Sequence, residues 1–512
     1  MEQTRPERDS MGEMDVPVDA YYGAQTERAR RNFEIGSLRF PRAFLRALGL
    51  IKKSAAGVNR DLGLLEAKLS VLIEEAAQEV ADGRRDDQFP LLIFQTGSGT
   101  STNMNANEVI AGLANEKATG ERGGRSPVHP NDAVNMGQSS NDVIPTAIHV
   151  AACEEIHKRL LPSLERLRNA LDERAEAFDA VVKIGRTHLQ DAVPIRLGQE
   201  FSGYAAQVEH ALRRVGVASE ALAELPIGGT ALGTGVNTHA EFAVRMVEAL
   251  GRETRLPFRP AANLFEAMAG RDAVVEASAM LRTTAVSLSN IANNLRLLGS
   301  GPRCGIGEIR IPELQPGSSI MPGKVNPVIP EAVMMVAAQV VGNDATIAWA
   351  NALGSNFDLN VMMPVMAYDL LESIELLTDA ADHLVRKCID AREFLAGQKA
   401  QGATRIEADE ERCREHVEQS LAMCTSLAPR IGYDNASALA KSAYREGTTV
   451  REVAHALDGM DPEEIARKLG APASAEAIRE HGGFPNRAEV DRLLDPLRQT
   501  ERGVGAGSGS GG

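Results

Sequence analysis

Between residues 271 and 299 the chain repeats its apolar side chains every seven positions. Val274, Leu281, Leu288 and Leu295 form one row, with Ala277, Thr284, Ile291 and Leu298 beside it. An α-helix places residues seven apart on one face, and so narrow a seam suits a helix packed in a bundle. Other segments read the same way. Leu45, Leu48, Ile51, Val58, Leu62, Leu65, Leu69 and Leu72 predict helices broken near Gly63. A further helix is predicted from Ile148, Ile156, Leu160, Leu164, Leu167 and Leu171, and another from Leu370, Ile374, Leu377, Ala381 and Leu384. Residues 331–353 are apolar around much of the helix, with Val333, Val336, Val340, Val341, Ile347 and Trp349, and are expected to be buried on several sides. Alternating β-branched runs are few. The fold class is therefore all-α, a bundle of long helices joined by short polar loops. Its excess of apolar helix surface points to a bundle shared between subunits.

Punctuation and composition divide the chain into an N-terminal mainly helical domain (1–138), a central long-helix bundle (139–395), a small C-terminal helical domain (396–468) and an extension (469–512). Residues 1 to about 40 read as mostly irregular. Within the extension, 470–501 has room for one or two surface helices, and 503–512 is a linker-like Gly/Ser tail. No run of 18 apolar residues occurs, and the opening MEQTRPERDSMGEMD lacks the apolar core of a secretory signal. The five cysteines form no CxxC pair, which speaks against a zinc site or a disulfide framework and for a reducing, cytoplasmic setting. A net charge of −15 argues against a general nucleic-acid surface. It does not oppose a small anion, because charges beyond roughly 8 Å are screened at physiological salt.

Four polar segments stand apart from the helical pattern, each read as a loop at the end of a long helix. Gln95–Asn103 runs Gln-Thr-Gly-Ser-Gly-Thr-Ser-Thr-Asn into a helix, where small hydroxyl residues cap free amides or hold an anion. Gln138-Ser139-Ser140-Asn141-Asp142 precedes another helix, and helix capping is its default reading. Gly185-Arg186-Thr187-His188 carries a lone histidine, a residue more often structural than catalytic. Gly317–Pro327, with the sequence GSSIMPGKVNP, crowds glycines, prolines, two serines and a lysine before Glu331. Pro322 and Pro327 fix φ and Gly323 permits conformations closed to other residues, so loop amides are free to face a ligand. In a bundle, loops at one end can converge. Together these hold serine, threonine and asparagine donors with one lysine and one histidine. They hold no metal-ligand set and no G-x-S-x-G elbow of a serine hydrolase.

Gly317–Asn326 resembles the signature of the fumarase/aspartase superfamily, and Thr96–Thr100, Ser139–Asp142 and Gly185–His188 resemble its other motifs in the same order. The similarity runs over about residues 9–460. Histidine at 188, where aspartases carry Gln, Ser139-Ser140-Asn141, where they carry Ser-Thr-Asn, and Gly323 place it with the class II fumarases. The resemblance implies a three-domain helical fold with a tetramer core of packed bundles, a small dicarboxylate substrate, no cofactor and no metal. It also implies a homotetramer whose active sites are shared between three chains, with neither nucleic acid nor membrane as partner. Ser318 is then the base, made acidic enough by loop amides and Lys324. His188, with Glu331, handles the hydroxyl side through water. Substrate is held by Ser98, Thr100, Ser139, Ser140, Asn141, Thr187, Lys324 and Asn326. A second anion site of bacterial relatives resembles His129, Asn131 and Asp132, although Ser126 stands near the place of its arginine. An aspartase and a catalytically silent crystallin-like relative are the alternatives. The latter is disfavoured by the presence of Ser318, Lys324 and His188.

Overall fold

The structure, a computed structural model, describes residues 3–398 and 402–501; the predicted Gly/Ser tail lies outside them. Contacts gather the chain into two compact units, each assembled from three stretches: Met1–Glu165, Glu209–Ser289 and Ala332–Asp382 in the first, Arg166–Val208, Asn290–Glu331 and His383–Gly512 in the second.

The helical expectation holds. The seam at 271–299 forms helix Asp272–Leu298, and all eight of its row residues are at most 5% exposed. Helices Arg42–Asp61 and Ala67–Ala81 are separated at Gly63, which takes a left-handed φ of 73°. In the first unit Phe44, Leu48, Ile51, Val109, Ile144 and Phe242 are fully buried.

Several segments depart from the expectation, among them helix Ala24–Asn32 in the stretch read as irregular. Residues 4–17, read as irregular, form an antiparallel hairpin, Thr4–Asp9 with Gly12–Pro17. Its alternation is hidden by charged side chains that find partners, Arg5 with Glu7 and Arg28 with Asp9. Residues 185–188 do not lie in a helix-end loop. They belong to a second hairpin, Val182–Thr187 with Gln190–Arg196.

Helix Val328–Gly354 is the apolar helix expected, yet in the single chain Met335 and Trp349 are 68% and 65% exposed. By length and composition it is, among the described residues, the one helix that would suit a membrane span. Its polar side is occupied within the first unit: Asp344 accepts from Ser278 (2.8 Å) and Arg282 (2.7 Å), and Asn343 donates to Ser373 (3.1 Å).

The second unit ends in short helices around their own core. The extension supplies Ala475–Glu480, Arg487–Leu493 and Pro496–Gln499. Its Ile478, Val490 and Leu494 are buried beside Leu439, Leu457 and Ile184 of the second hairpin. It is part of a domain core and not only a surface appendage.

Candidate active site

In the first unit the loop 96–99 leads into helix Thr100–Thr119. A Cβ on Gly97 would fall 1.6 Å from the Val361 carbonyl oxygen, so only glycine fits there; its own carbonyl accepts from the Met363 amide (3.0 Å). The Thr100 hydroxyl lies 2.8 Å from that of Ser98 and 2.6 Å from that of Ser140. One chain of hydroxyls thus joins the first turns of two helices, Thr100–Thr119 and Ser140–Glu155. Ser139 caps the second helix, its Oγ accepting from the Asn141 amide (3.2 Å), and Asn141 Nδ2 donates to the Ala231 carbonyl (2.8 Å). Paired helix N-termini carrying hydroxyl donors favour an anion.

Behind them sit two buried charges that sequence reasoning did not single out for function. Asp142, wholly inaccessible, accepts from the amides of Ser139 (2.9 Å), Gly228 (3.0 Å) and Thr230 (2.9 Å). It fastens the 226–239 loop to the hydroxyl cluster. Thr230 takes a φ of 55°, costly for a β-branched residue, and that strain persists because its amide is held. Burial pushes the Asp142 carboxyl up to about 6, against the three amides and Lys52. Lys52 donates to Asn135 Oδ1 and Gln138 Oε1 (both 2.9 Å), and burial drives its ammonium down to about 7. The Ser-x-x-Asp spacing at 139–142 was the available signal for Asp142, since it is a capping box. Nothing in the local sequence marks Lys52.

In the second unit Thr187 pairs with Gln190, leaving His188-Leu189 as a two-residue turn. Both residues have positive φ (56° and 60°), as a type I′ turn requires. Asn-Gly is the usual occupant, so holding His and Leu there costs about 1–2 kcal/mol per residue. The strain sits at the histidine singled out from the sequence.

The same hairpin is mounted on Glu308, which is fully buried. Arg186 grips its carboxylate with two bonds (2.9 and 2.7 Å), Lys183 Nζ lies 3.3 Å away, and His416 Nδ1 is 3.0 Å away. Burial alone would raise the Glu308 carboxyl; Arg186, Lys183 and His416 together outweigh it and hold the group below the usual range.

The Gly317–Pro327 loop closes on itself. The Gly317 amide donates to the Lys324 carbonyl (2.7 Å), and Asn326 Nδ2 donates to the Gly317 carbonyl (2.8 Å). A Cβ at 317 would meet Lys324 O at 2.7 Å, so the closure requires glycine. Ser318 Oγ accepts from the amides of Ile320 (3.2 Å) and Met321 (3.0 Å). Lys324 is exposed, and Glu331 lies in the first turn of helix Val328–Gly354.

The structure therefore gathers Ser98, Thr100, Ser139, Ser140 and Asn141 in the first unit. Thr187, His188, Ser318, Lys324, Asn326 and Glu331 belong to the second, on separate segments. Among the described residues His188 has no hydrogen bond to Ser318 or Glu331. At the other candidate site, His129 Nδ1 accepts from the amides of Asn131 (3.2 Å) and Asp132 (3.0 Å), capping a helical turn. No group of three or more His, Cys, Asp or Glu side chains poised for a metal is found among the described residues.

Comparison with known proteins identifies the family. A model of the lyase family matches residues 12–342, and one described as the fumarase C C-terminus matches 423–471. Class II fumarate hydratase of Neisseria meningitidis is 51% identical over 462 residues, covering 90% of this chain and 97% of that protein. A class II fumarate hydratase of Bradyrhizobium diazoefficiens is 49% identical over 500 residues, 98% of this chain and 97% of its own. The crystal structure of class II fumarase from Schistosoma mansoni superposes with a TM-score of 0.86 at 37% identity, covering 97% of this chain and 99% of that one. The chain belongs to the lyase family, and within it to the class II fumarate hydratases.

Proposed function

We propose that this chain catalyses the reversible hydration of fumarate to (S)-malate, by anti elimination and addition through an aci-carboxylate intermediate. The observation that carries the reading is the Ser318 hydroxyl, which receives two backbone amides of its own loop. Malate carries only a weakly acidic C3 proton, so its removal needs a strong base, whereas a free serine hydroxyl stays protonated at neutral pH. Two amide donors with Lys324 on the same loop lower the cost of the alkoxide. In this reading Ser318 takes the C3 proton from the malate dianion, and the resulting trianionic aci-carboxylate intermediate expels hydroxide from C2. His188, oriented by Glu331, delivers a proton to that hydroxyl through water, so that water leaves. Lys324, Asn326 and Thr187 hold one carboxylate, while Ser98, Thr100, Ser139, Ser140 and Asn141 hold the other and the remaining polar groups.

The absence of a direct His188–Glu331 hydrogen bond inside one chain fits a site completed in an assembly. We read that assembly as a homotetramer with each site built from three chains. The exposed Met335 and Trp349 of helix Val328–Gly354 support this, as do Leu189 and Ile320, 72% and 83% exposed beside the two acting residues. A cytoplasmic setting, no cofactor, and neither nucleic acid nor membrane as partner complete the proposal. His129, Asn131 and Asp132 remain a proposed second anion site.

Ultraviolet absorbance of the conjugated double bond should rise with malate and fall with fumarate. Silence in both directions, with ammonia released from aspartate, would move the chain to the aspartase reading.

A further inference from the structure

The fumarase C C-terminal model ends at residue 471, and the chain continues in described structure to 501. This stretch is not loosely attached. Ile478 and Val490 are fully buried and Leu494 is 1% exposed, in one cluster with Ile184 from the hairpin that carries His188. Arg451 fixes the stretch from the side, donating to Glu418 (2.9 Å), Asp491 (2.7 Å) and the Leu494 carbonyl (3.0 Å). At Asp495, whose carboxylate caps the next turn (3.0 Å from the Leu497 amide), the chain redirects. Helix Pro496–Gln499 then packs on strand Gln190–Arg196. Gln199 Nε2 donates to the Thr500 carbonyl (3.2 Å), and Arg196 Nη1 to Glu501 Oε1 (2.7 Å).

We propose that the C-terminal extension is a brace for the hairpin: it clamps the outer strand at its base and so sets where the Thr187-His188 tip points. The proposal rests on the reading of His188 as the group acting on the hydroxyl side. A two-stranded ribbon is marginal in water unless something packs on it, and a strained turn persists only where its surroundings hold it. The inner strand is held by Ile184 in the core and by Arg186 on Glu308. The outer strand packs on the turn Leu421–Ser426 and, at its base, on the extension. From Arg196 to the turn is about seven residues, roughly 23 Å at ~3.3 Å per residue. A tilt of about 3° at the base moves the tip by about 1 Å, a misplacement that costs up to about 10²-fold in rate. An exposed ion pair such as Arg196–Glu501 contributes little stability, so the brace acts on geometry more than on folding.

The test is a chain ended after Leu494, which keeps Ile478, Val490 and Leu494, against a control ended after Glu501. The shorter chain should lose about tenfold in kcat, and its amides at 186–191 should exchange hydrogen faster. The control should match the full chain. Combined with His188→Asn, the truncation should cause no further loss, because a brace acting through His188 has nothing left to position. Full kcat in the shorter chain overturns the proposal, as does unchanged exchange at 186–191. Losses that multiply with His188→Asn also overturn it, by assigning the effect to general destabilisation. If the shorter chain fails to fold, the full-length Gln199→Ala/Glu501→Ala variant carries the same expectations and the same refutations. Full activity in His188→Asn by itself would instead remove the role of His188, and the exchange measurement would still judge the brace.

Discussion

Ser318 and Lys52 show how position changes what an ordinary side chain can do. Ser318 has the hydroxyl of any serine; two loop amides donate to its oxygen, and in the proposed reading they lower the cost of the alkoxide. Ser318→Ala should lower kcat by about 10³-fold, the scale of a lost general base, while leaving sedimentation and circular dichroism unchanged. Lys52 is charged at neutral pH in an unfolded chain, with a pKa near ~10.4, and burial brings it to about 7 in the folded one. Between those values the unfolded chain holds a proton that the folded chain has released, so this residue makes stability rise with pH from about 7 to about 10. Asp142 acts oppositely lower down. With its carboxyl raised to about 6, the folded chain holds the extra proton, and the contribution falls as pH rises from about 4 to about 6. In urea titrations at fixed protein concentration, the stability of the native chain relative to Lys52→Met should grow between pH 7 and 9, by at most about 1.4 kcal/mol per unit. A flat difference would show that Lys52 keeps its proton.

At the scale of elements, the second hairpin is held by charges from distant parts of the chain. Glu308 is where Lys183, Arg186 and His416 meet. Glu308→Gln would leave Lys183 and Arg186 without their shared anion, and removing one partner of a buried pair typically costs about 3–5 kcal/mol. The loss should appear in denaturation of the second unit's hairpin and C-terminal helices, followed by exchange at residues 182–196 and 410–419. Native-like stability in Glu308→Gln would mean the cations find other partners. The hydroxyl cluster of the first unit is built differently, from two helix N-termini and a capping box, with local geometry supplying most of it.

At the scale of the molecule, the single chain leaves apolar side chains exposed: Leu189 next to His188, Ile320 two residues from Ser318, and elsewhere Phe357 at 99% exposure. If three chains complete each site, mixing Ser318→Ala with His188→Asn should restore about a quarter or less of native activity, because some mixed assemblies hold a site with both residues intact. The measurement is the activity of verified mixed tetramers against each parent. Activity no higher than the parents would leave each chain to its own site.

Much of this was readable before any coordinates. Helical periodicity is a local property, so the row through Val274, Leu281, Leu288 and Leu295 determined an all-α bundle by itself, and the row is buried as read. The motif residues were readable too, because the glycines, serines and prolines of the 317–327 loop are contiguous. Some local structure escaped. The 4–17 hairpin is clad in charges whose partners cannot be seen in a string, and a His-Leu pair does not advertise a type I′ turn. Lys52, Glu308 and the extension escaped for one reason: their roles depend on partners far away in sequence. Glu308 is 122 residues from Arg186 and 108 from His416, and Glu501 is 305 from Arg196. The sequence alone determined which helices form and which loops carry polar groups that can act. Only the tertiary structure decided what holds those groups in place, because burial and ion pairing exist only once remote segments have met.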